Sequence, residues 1–414
     1  MAKKQETPKL STVSKRAEQK AEKAEASNDE IDKLTSDLIR DINKEFGERV
    51  AYNLNDTEAP TMVKSWLDTG SVQLNYAIRN CAGGGYPEGR IIEIAGVPSI
   101  GKSHLAFHAA ANAQKMGGIV IYVDTENAVP VEKLQHMGIN IKRGFVYMDI
   151  HATEHVFKAI EDTILKAKGL KKNVPILVVW DSVAATSPLA ELNGEYEDNT
   201  MGLQARVISK GMRKITGVIG QNNVTLICLN QLRDAIGVMH GDPQITPGGK
   251  AIPFHASVRI RLSSGTQVKD KNGNIIGIHV IATFKKNKLG PPHRKYEFDI
   301  IFGKGIVEHE YIFDELRTYC SKNKCIFKLE GGKNVEMKID GSGAWKEFTV
   351  SDADTGEVLV EKKFYKAEFG DVMKDPEYKP LLDLLIDKVY TLVLEDAVSE
   401  GEAPTSDEPG EYRD

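Results

Sequence analysis

Cysteine and long apolar runs are scarce in this chain. Its 414 residues include four cysteines, Cys81, Cys228, Cys320 and Cys325, and so few in so long a chain do not make a disulfide framework. No apolar run approaches the roughly 20 residues that a membrane-spanning helix needs, and the opening residues MAKKQETPKL lack the apolar core of a signal peptide. We therefore expect a protein of the reducing cytoplasm without a membrane segment.

Acidic residues are also scarce in one part of the chain. The net charge is −5, yet residues 199–295 contain fifteen Lys or Arg and only three acids, Asp234, Asp242 and Asp270. This stretch therefore carries +12, and the remainder carries −17. A basic middle within an acidic chain favours a polyanionic partner, although a merely solvated basic face would have the same composition.

A glycine-rich segment between an apolar strand and an apolar helix is the most specific motif. Its pattern, G-x-x-x-x-G-K-S, comprises Gly96, Val97, Pro98, Ser99, Ile100, Gly101, Lys102 and Ser103. In such a loop the backbone N–H groups converge on a phosphate at a helix N-terminus. The lysine reaches the β- and γ-phosphates, and the hydroxyl ligates Mg²⁺. The segment therefore predicts a nucleoside triphosphate site with Mg²⁺.

Polar side chains follow three further apolar strands. Asp181 ends the strand at 176–181 and suits the Mg²⁺ site together with Ser103, although an ordinary strand-end aspartate looks the same. Glu126 follows the strand at 119–124 and can polarise an attacking water, but Asp124 is a competing candidate two residues earlier. Gln231 ends a third strand, where its amide can sense the γ-phosphate and signal to the loop that follows.

Apolar runs alternate with helical patterns along the middle of the chain. Continuous Val, Ile and Leu strands separated by helices predict an α/β fold with a mainly parallel sheet buried on both faces. Later runs at 256–262, 275–284 and 296–301 predict hairpin-linked strands, with a turn at 271–274.

The composition also predicts how the chain is organised. We expect the following partition: a disordered arm at 1–27, an N-terminal segment with a helix at 28–66 that packs on the core or serves oligomerisation, an ATPase core at 67–317, a small α+β domain at 318–394 that ends in a helix near 375–393, and an acidic tail at 395–414.

One amphipathic helix is predicted ahead of the ATPase core. Ile31, Leu34, Leu38 and Ile42 fall on one helical face. This apolar stripe must be buried either on the protein's own core or on a neighbouring subunit, and the sequence does not decide between them.

An ordered set of short motifs resembles the RecA family of recombinases. With the phosphate loop, the set keeps its order and spacing over about residues 65–310. Its members are Asp68-Thr69-Gly70-Ser71, Val123-Asp124-Thr125-Glu126, Asp181-Ser182-Val183-Ala184-Ala185, Met201-Gly202-Leu203-Gln204-Ala205-Arg206, Asn230-Gln231-Leu232-Arg233, Ile236-Gly237-Val238-Met239, Gly248-Gly249 and Lys286-Asn287-Lys288. The resemblance implies a RecA-like ATPase core.

The resemblance also implies roles for the residues of the site. With the phosphate-loop Lys102, Glu126 would be the catalytic carboxylate and Gln231 the residue that couples ATP to DNA. Lys286 and Lys288 would reach ATP bound on the neighbouring subunit, and the subunit interface would include these two lysines and Phe254. The alternative for the two lysines is a solvated basic turn.

Two loops, at about 191–201 and 232–250, would hold single-stranded DNA in the family. Backbone N–H groups and cations suit phosphate contacts, and apolar residues at loop positions can part stacked bases. The predicted DNA-binding residues are Met201, Arg206, Arg213, Arg233, Ile236, Gly248, Gly249 and Lys250. Binding would be independent of base sequence, because the bases must stay free to pair.

The resemblance implies an ATP-dependent recombination protein. It would form helical filaments of its own subunits on single-stranded DNA, pair with homologous double-stranded DNA and exchange strands, with DNA-stimulated ATP hydrolysis. Single-strand-binding and loader proteins are further candidate partners. The host would be a bacterium or a bacteriophage, and the diverged ends favour a bacteriophage. The alternatives are a hexameric DNA motor or helicase on the same core and a non-enzymatic ATP-binding scaffold.

Three positions depart from the family pattern. Lys133 stands where the family stacks a tyrosine on adenine, and Pro130 replaces a nearby aspartate that contacts the base. His104 follows Ser103 where a second small hydroxyl residue is usual. These departures bear on the choice of nucleotide base.

Overall fold

The computed structural model describes residues 30–56, 59–167, 174–195, 200, 202–234, 244–341 and 343–392. The predicted arm at 1–27 and the predicted tail at 395–414 lie outside these residues. The chain divides between Lys64 and Ser65 into two compact units. None of the helices in the described part is long and apolar enough to cross a membrane.

The first unit contains helix α1, described over residues 30–46. Its predicted apolar stripe is largely open to solvent, since Ile31, Leu34 and Leu38 are 57%, 70% and 58% exposed. Asn43 fixes the turn after the helix, because its Oδ1 accepts hydrogen bonds from the backbone N–H groups of Val50 and Ala51 at 2.7 and 2.8 Å. The stripe is therefore available for contact with another molecule.

The second unit contains the remaining helices and strands. In chain order they are β1 (Trp66–Leu67), α2 (Val72–Arg79), β2 (Tyr86–Pro87), β3 (Ile91–Gly96), α3 (Lys102–Lys115), β4 (Ile119–Asp124), α4 (Val131–His136), β5 (Phe145–Asp149), α5 (Thr153–Ala167), β6 (Ile176–Asp181), α6 (Leu189–Leu192), α7 (Leu203–Gln221), β7 (Val224–Gln231), β8 (Arg233–Asp234), β9 (Gln244–Ile245), α8 (Ala251–His255), β10 (Val258–Lys269), β11 (Ile275–Asn287), β12 (Lys295–Ile301), β13 (Gly305–Val307), α9 (His309–Lys322), β14 (Cys325–Lys328), β15 (Asn334–Asp340), β16 (Trp345–Asp352), β17 (Val358–Tyr365), α10 (Phe369–Val372) and α11 (Lys379–Tyr390).

A nine-stranded sheet forms the centre of this unit. Its order is β13-β12-β11-β10-β3-β7-β6-β4-β5. The six strands from β10 to β5 pair in parallel, as the apolar runs predict. The hairpin-linked strands β10 to β13 extend the same sheet with antiparallel pairs, and β10 reaches Lys269, seven residues beyond its predicted end.

Helices cover both faces of the parallel strands. On one face Leu105 and Ala109 of α3 are buried against the sheet, and on the other Val156 of α5 and Ile208 of α7 are buried. Because both faces are covered, the carboxyl ends of β3, β4, β6 and β7 meet at one edge, where an α/β fold places its ligands.

The last part of the second unit contains a four-stranded antiparallel sheet, β14-β15-β16-β17, with α10 and α11 following it. The turns of this sheet include Gly331 and Gly341, both with positive φ. The predicted domain boundary at 317 falls inside α9, and the predicted final helix begins at Lys379 and ends at Tyr390. The partition into domains stays a prediction.

Candidate nucleotide site and nucleic-acid interface

The phosphate loop connects the end of β3 to the start of α3, as predicted. Gly101 precedes the helix with φ +99°, and a Cβ at this position would lie 2.2 Å from Ile300 Cδ1. Only glycine combines that backbone conformation with that lack of space. Lys102 and Ser103 are consequently the first two residues of α3.

Lys102 turns back onto its own loop. Its Nζ donates hydrogen bonds to the carbonyl oxygens of Gly96 at 3.0 Å and Val97 at 2.9 Å. Burial lowers the pKa of Lys102, while the nearby carboxylates of Asp181 and Glu126 oppose that shift. The ammonium group is therefore enclosed next to the position that the motif reserves for phosphate, and an anionic phosphate would be a stronger partner than two carbonyl oxygens.

Ser103 and Asp181, which were both predicted for the metal site, are in direct contact. Ser103 Oγ donates to Asp181 Oδ2 at 2.9 Å, and the hydroxyl of Tyr122 donates to the same oxygen at 2.5 Å. Burial raises the pKa of Asp181, whereas these two hydrogen bonds act in the opposite direction. A serine hydroxyl beside a carboxylate is a set of hard oxygen donors of the kind that Mg²⁺ prefers.

Glu126 is exposed and lies at the same sheet edge. Its Oε1 accepts hydrogen bonds from the hydroxyl of Ser182 at 2.5 Å and from Nε2 of Gln231 at 3.2 Å. The carboxylate thus has two fixed donors, one at the end of β7 and one directly after β6. Glu126 and Gln231, predicted separately, are in direct contact.

Asp124 has a different environment from Glu126. It is 1% exposed, and its oxygens accept hydrogen bonds from the backbone N–H groups of Glu126, Ala128 and Val129 and from the hydroxyl of Tyr147. These bonds hold the loop after β4 and occupy both carboxylate oxygens. The geometry therefore favours Glu126 over Asp124 as the group that faces a reactant.

A cavity of about 90 Å³ lies beside the phosphate loop. Its lining includes Ser103, Glu126, Asp181, Pro130 and Lys133. Lys133 also lies over the ring of Phe107, with Nζ 5.6 Å from the ring centre. Two of the three residues that depart from the family pattern, Pro130 and Lys133, therefore line the same cavity as the predicted metal and catalytic residues.

His104 and His108 are packing residues of α3. Burial, assisted by the charge of Lys133, lowers the pKa of His104 to about 4, so this side chain is neutral at pH 7. His108 Nε2 accepts a hydrogen bond from the backbone N–H of Ile306 at 3.1 Å. Within the described residues, no group of three or more His, Cys, Asp or Glu side chains is placed to hold a metal ion.

The second predicted DNA loop starts and ends as a pair of strands. β8 pairs with β9, which brings Arg233 opposite Ile245. Gly248 and Gly249, after β9, have φ +89° and +73°, and added Cβ atoms would lie 2.8 Å from Ile208 Cδ1 and 3.0 Å from Ala205 Cβ. The glycine pair is therefore packed against α7. Ile236 lies outside the described residues.

Helix α7 carries the predicted Arg206 and Arg213, and also Lys210, on its exposed side. Arg206, Lys210 and Arg213 are exposed, and their spacing puts them on one face. Ile208 and Met212 are buried on the opposite side. Lys250 and Arg233 are also exposed. Of the first predicted loop, α6 and residues 193–195 and 200 are described, and Met201 is not.

Lys286, Lys288 and Phe254 lie where β11 ends beside α8. Lys286 Nζ donates to the carbonyl oxygens of Pro253 and Phe254, each at 2.8 Å. Burial and the charges of Lys288 and Arg259 lower the pKa of Lys286. Phe254 is 74% exposed. These residues do not line the cavity beside the phosphate loop of their own chain.

Sequence reasoning assigned no role to Ser182, Tyr122 or Tyr147. Ser182 directly follows Asp181, the carboxylate that ends β6. This position was the one feature of the sequence that could have indicated a role for Ser182 in the site. Tyr122 and Tyr147 bond the carboxylates of Asp181 and Asp124 from β4 and β5, and no local motif marks them.

Comparisons with known proteins identify the family. The family model described as RecA N-terminal domain matches residues 33–307. Protein RecA of Chloroherpeton thalassium is 40% identical over 285 residues, 69% of this chain and 76% of that protein. Protein RecA of Trichodesmium erythraeum is 40% identical over 335 residues, 80% of this chain and 83% of that protein. Protein RecA of Lactiplantibacillus plantarum is 34% identical over 376 residues, 91% and 88% of the two chains. The predicted fold and the predicted class, a recombinase with DNA-dependent ATPase activity, are thereby confirmed, and the chain belongs to the RecA family.

Proposed function

We propose that this RecA-family protein assembles on single-stranded DNA into a helical filament, with ATP between neighbouring subunits, and exchanges strands with a homologous duplex. One contact carries the proposal. Gln231, the last residue before the second loop, donates its side-chain amide to the carboxylate of Glu126. A change in the loop on binding DNA would therefore reach the group that acts on the attacking water.

The residues at the sheet edge would have separate roles in ATP hydrolysis. The loop from Gly96 to Ser103 would hold the phosphates, and Lys102 would leave its two carbonyl partners for the γ-phosphate. Ser103 and Asp181 fit Mg²⁺, which when bound supplies neutralisation of the charge on the phosphate oxygens. Glu126, oriented by its two donors, would accept the proton of the attacking water.

Lys286, Lys288 and Phe254 would act on the neighbouring subunit. These three residues do not line the cavity beside the phosphate loop of their own chain. They would therefore contact a nucleotide bound to a neighbouring subunit, across the interface. Lys286 would exchange two neutral carbonyl partners for a phosphate, which is a stronger, charge-assisted bond. A site completed across an interface makes hydrolysis depend on assembly.

The DNA would lie along the exposed face of α7 and the second loop. Arg206, Arg213, Arg233 and Lys250 supply cations for phosphates, and Gly248 and Gly249 allow close approach of the backbone. We assign Met201 and Ile236 to the same surface on the resemblance alone. The stripe of α1 would dock on a neighbouring subunit, and the exposure of Ile31, Leu34 and Leu38 supports this alternative over packing on the protein's own core.

Other assignments extend this proposal. We place the protein in the cytoplasm, where ATP and DNA are found, and keep single-strand-binding and loader proteins as candidate partners. The core at 67–317, the domain at 318–394 and the bacteriophage origin stay predictions, and we add a part in the SOS response to the proposal.

Electron microscopy tests the proposal directly. The purified protein is mixed with single-stranded DNA and a slowly hydrolysed ATP analogue. Continuous helical filaments are expected. Closed hexameric rings would instead support a DNA motor, and a lone subunit whose ATP hydrolysis ignores DNA would overturn the proposal.

A further inference from the structure

Asn230 joins the two ends of the second loop. This residue is fully buried at the end of β7. Its Oδ1 accepts the backbone N–H of Gln231 at 3.0 Å, where the loop begins. Its Nδ2 donates to the carbonyl oxygen of Pro247 at 3.2 Å, where the loop returns next to Gly248. One side chain therefore holds both ends of the segment.

The same amide is fixed to the strand that carries the phosphate loop. Asn230 Nδ2 also donates to Glu93 Oε1 at 3.1 Å, and Glu93 Oε2 accepts from Arg259 Nε at 2.6 Å. Glu93 is 1% exposed and lies on β3. The carboxylate is paired and hydrogen-bonded, as a buried charge must be. Asn230 thus has a rigid partner on one side and the loop on the other.

A cavity adjoins the returning end of the loop on the side away from α7. A cavity of about 520 Å³ is lined by both loop ends, among them Leu232, Thr246 and Gly249, and by Glu93. Gly248 and Gly249 pack against α7, so close packing holds this end of the loop on the α7 side and leaves space on the side of the cavity. The backbone N–H of Leu232 bonds the carbonyl oxygen of Gly96 at 3.3 Å, so the starting end is tied to the phosphate loop.

We infer that Asn230 is a positioning residue that transmits displacement of the DNA-bound loop to Gln231, and through Gln231 to Glu126. A shift of Pro247 displaces Nδ2 of Asn230 through the hydrogen bond to the Pro247 carbonyl oxygen. The Oδ1 atom of the same amide accepts the N–H of Gln231, so the displacement reaches Gln231. Because Glu93 anchors the amide, the shift rotates the side chain instead of displacing the strand. This inference rests on the proposed function and names the residue that links its two sites.

The test measures reciprocal coupling in the Asn230→Ala variant. Affinities are measured for a fluorescent oligo-dT with and without a slowly hydrolysed ATP analogue, and for the analogue with and without the DNA. Each ligand is expected to raise the affinity of the unmodified protein for the other ligand. In the variant, both of these increases in affinity should be smaller by the same factor, about tenfold. The affinity for each ligand alone should stay within about twofold, because Asn230 is fully buried and is not among the residues assigned to nucleotide or DNA.

Gln73→Ala is the matched control. Gln73 is a fully buried amide whose Nε2 bonds Glu315 and Tyr390, so its loss removes comparable contacts away from the loop. It should leave both increases in affinity unchanged. The inference would be overturned if, in Asn230→Ala, each ligand still raised the affinity for the other as much as in the unmodified protein. It would also be overturned if Asn230→Ala and Gln73→Ala lost affinity for each ligand alone to the same extent. Absence of any mutual gain in the unmodified protein would overturn the proposed function instead.

A second variant covers the case in which Asn230→Ala fails to fold. Asn230→Asp with Glu93→Gln exchanges the amide and the carboxylate, so the bond between β3 and β7 can re-form. The aspartate has no donor for the Pro247 carbonyl oxygen. The inference is supported if the double variant folds and neither ligand raises its affinity for the other. It is refuted if each ligand raises the affinity for the other as much as in the unmodified protein.

Discussion

The hydroxyl of Ser182 donates a hydrogen bond to Oε1 of Glu126 across 2.5 Å. Ser182 is 1% exposed and directly follows the metal-site candidate Asp181. Thr125, next to Glu126, makes two hydrogen bonds with Ser182. The hydroxyl of Thr125 accepts from the backbone N–H of Ser182 and donates to the carbonyl oxygen of Ser182. The ends of β4 and β6 are thereby joined, and the Glu126 carboxylate is held towards the phosphate loop.

Ser182→Ala removes the shorter of the two hydrogen bonds to Glu126. The carboxylate then keeps only the Gln231 amide at 3.2 Å. We expect kcat for DNA-stimulated ATP hydrolysis to fall roughly tenfold and KM for ATP to change less than about twofold, because orientation of the base matters mainly in the transition state. Steady-state kinetics measures both. Ser321→Ala, at an exposed helix position, is the control and should match the unmodified protein.

Gly249→Ala should weaken DNA binding. Its φ of +73° and the Ala205 Cβ 3.0 Å from an added Cβ make the substitution strained. A strain of about 1–2 kcal/mol predicts a loss of about tenfold in affinity for single-stranded DNA. Fluorescence anisotropy measures this, and nucleotide binding should change less than about twofold.

Gly217→Ala is the control for this substitution. Gly217 lies in α7, and no atom lies within 4 Å of an added Cβ. It should therefore bind DNA normally. If Gly249→Ala lost nucleotide and DNA binding equally, the assignment of the second loop to DNA would be wrong.

Glu308 makes stability depend on pH. Its carboxylate accepts hydrogen bonds from the hydroxyl of Ser71 and the backbone N–H of Val72, each at 2.5 Å. Burial nevertheless raises the pKa of Glu308 to about 7. The folded protein therefore holds this proton more tightly than the unfolded chain, so the stabilisation is complete below the unfolded pKa near 4.5 and is lost as pH rises towards 7.

Glu308→Gln should flatten this dependence. The melting temperature of the unmodified protein is expected to fall between pH 5 and pH 8 by several degrees more than that of the variant, since this pKa difference corresponds to a few kcal/mol. Calorimetry at the two pH values measures it. Glu330→Gln, at an exposed position, should behave like the unmodified protein, and parallel curves for Glu308→Gln would refute the prediction.

Local spacing was enough to bring several residues of the candidate nucleotide site to one edge of the sheet. The phosphate loop, Asp181 and Glu126 each follow a continuous apolar strand, and in a parallel sheet such positions share one edge. Position alone did not separate Asp124 from Glu126, and the resemblance assigned the catalytic role to Glu126. The structure adds a physical argument for that assignment, because the backbone N–H groups of the following loop bond the carboxylate of Asp124. Ser182 and Glu126 are 56 residues apart, and no periodicity reports a contact of that kind.

The antiparallel side of the sheet was predicted less well for a physical reason. The apolar residues of β10 recur regularly only up to Leu262, and the strand continues through mostly polar residues to Lys269. Its later part is held by pairing with β11 instead of by burial. The partner of Lys286 was also out of reach, because it is a pair of backbone carbonyl oxygens more than thirty positions away. Backbone acceptors leave no mark in a sequence.

Mixed filaments test whether Lys286 acts on the neighbouring subunit. Lys102→Ala lacks its own phosphate-loop lysine but keeps Lys286, and Lys286→Ala has the opposite defect. If each nucleotide site takes Lys102 from one subunit and Lys286 from the next, a random equimolar mixture restores about one quarter of the interfaces. DNA-stimulated ATPase of the mixture should approach that fraction of the unmodified rate, while each variant alone is nearly inactive. Lys271→Ala, in the turn between β10 and β11, should be fully active by itself. A mixture no more active than the average of its components would show that Lys286 serves only its own chain.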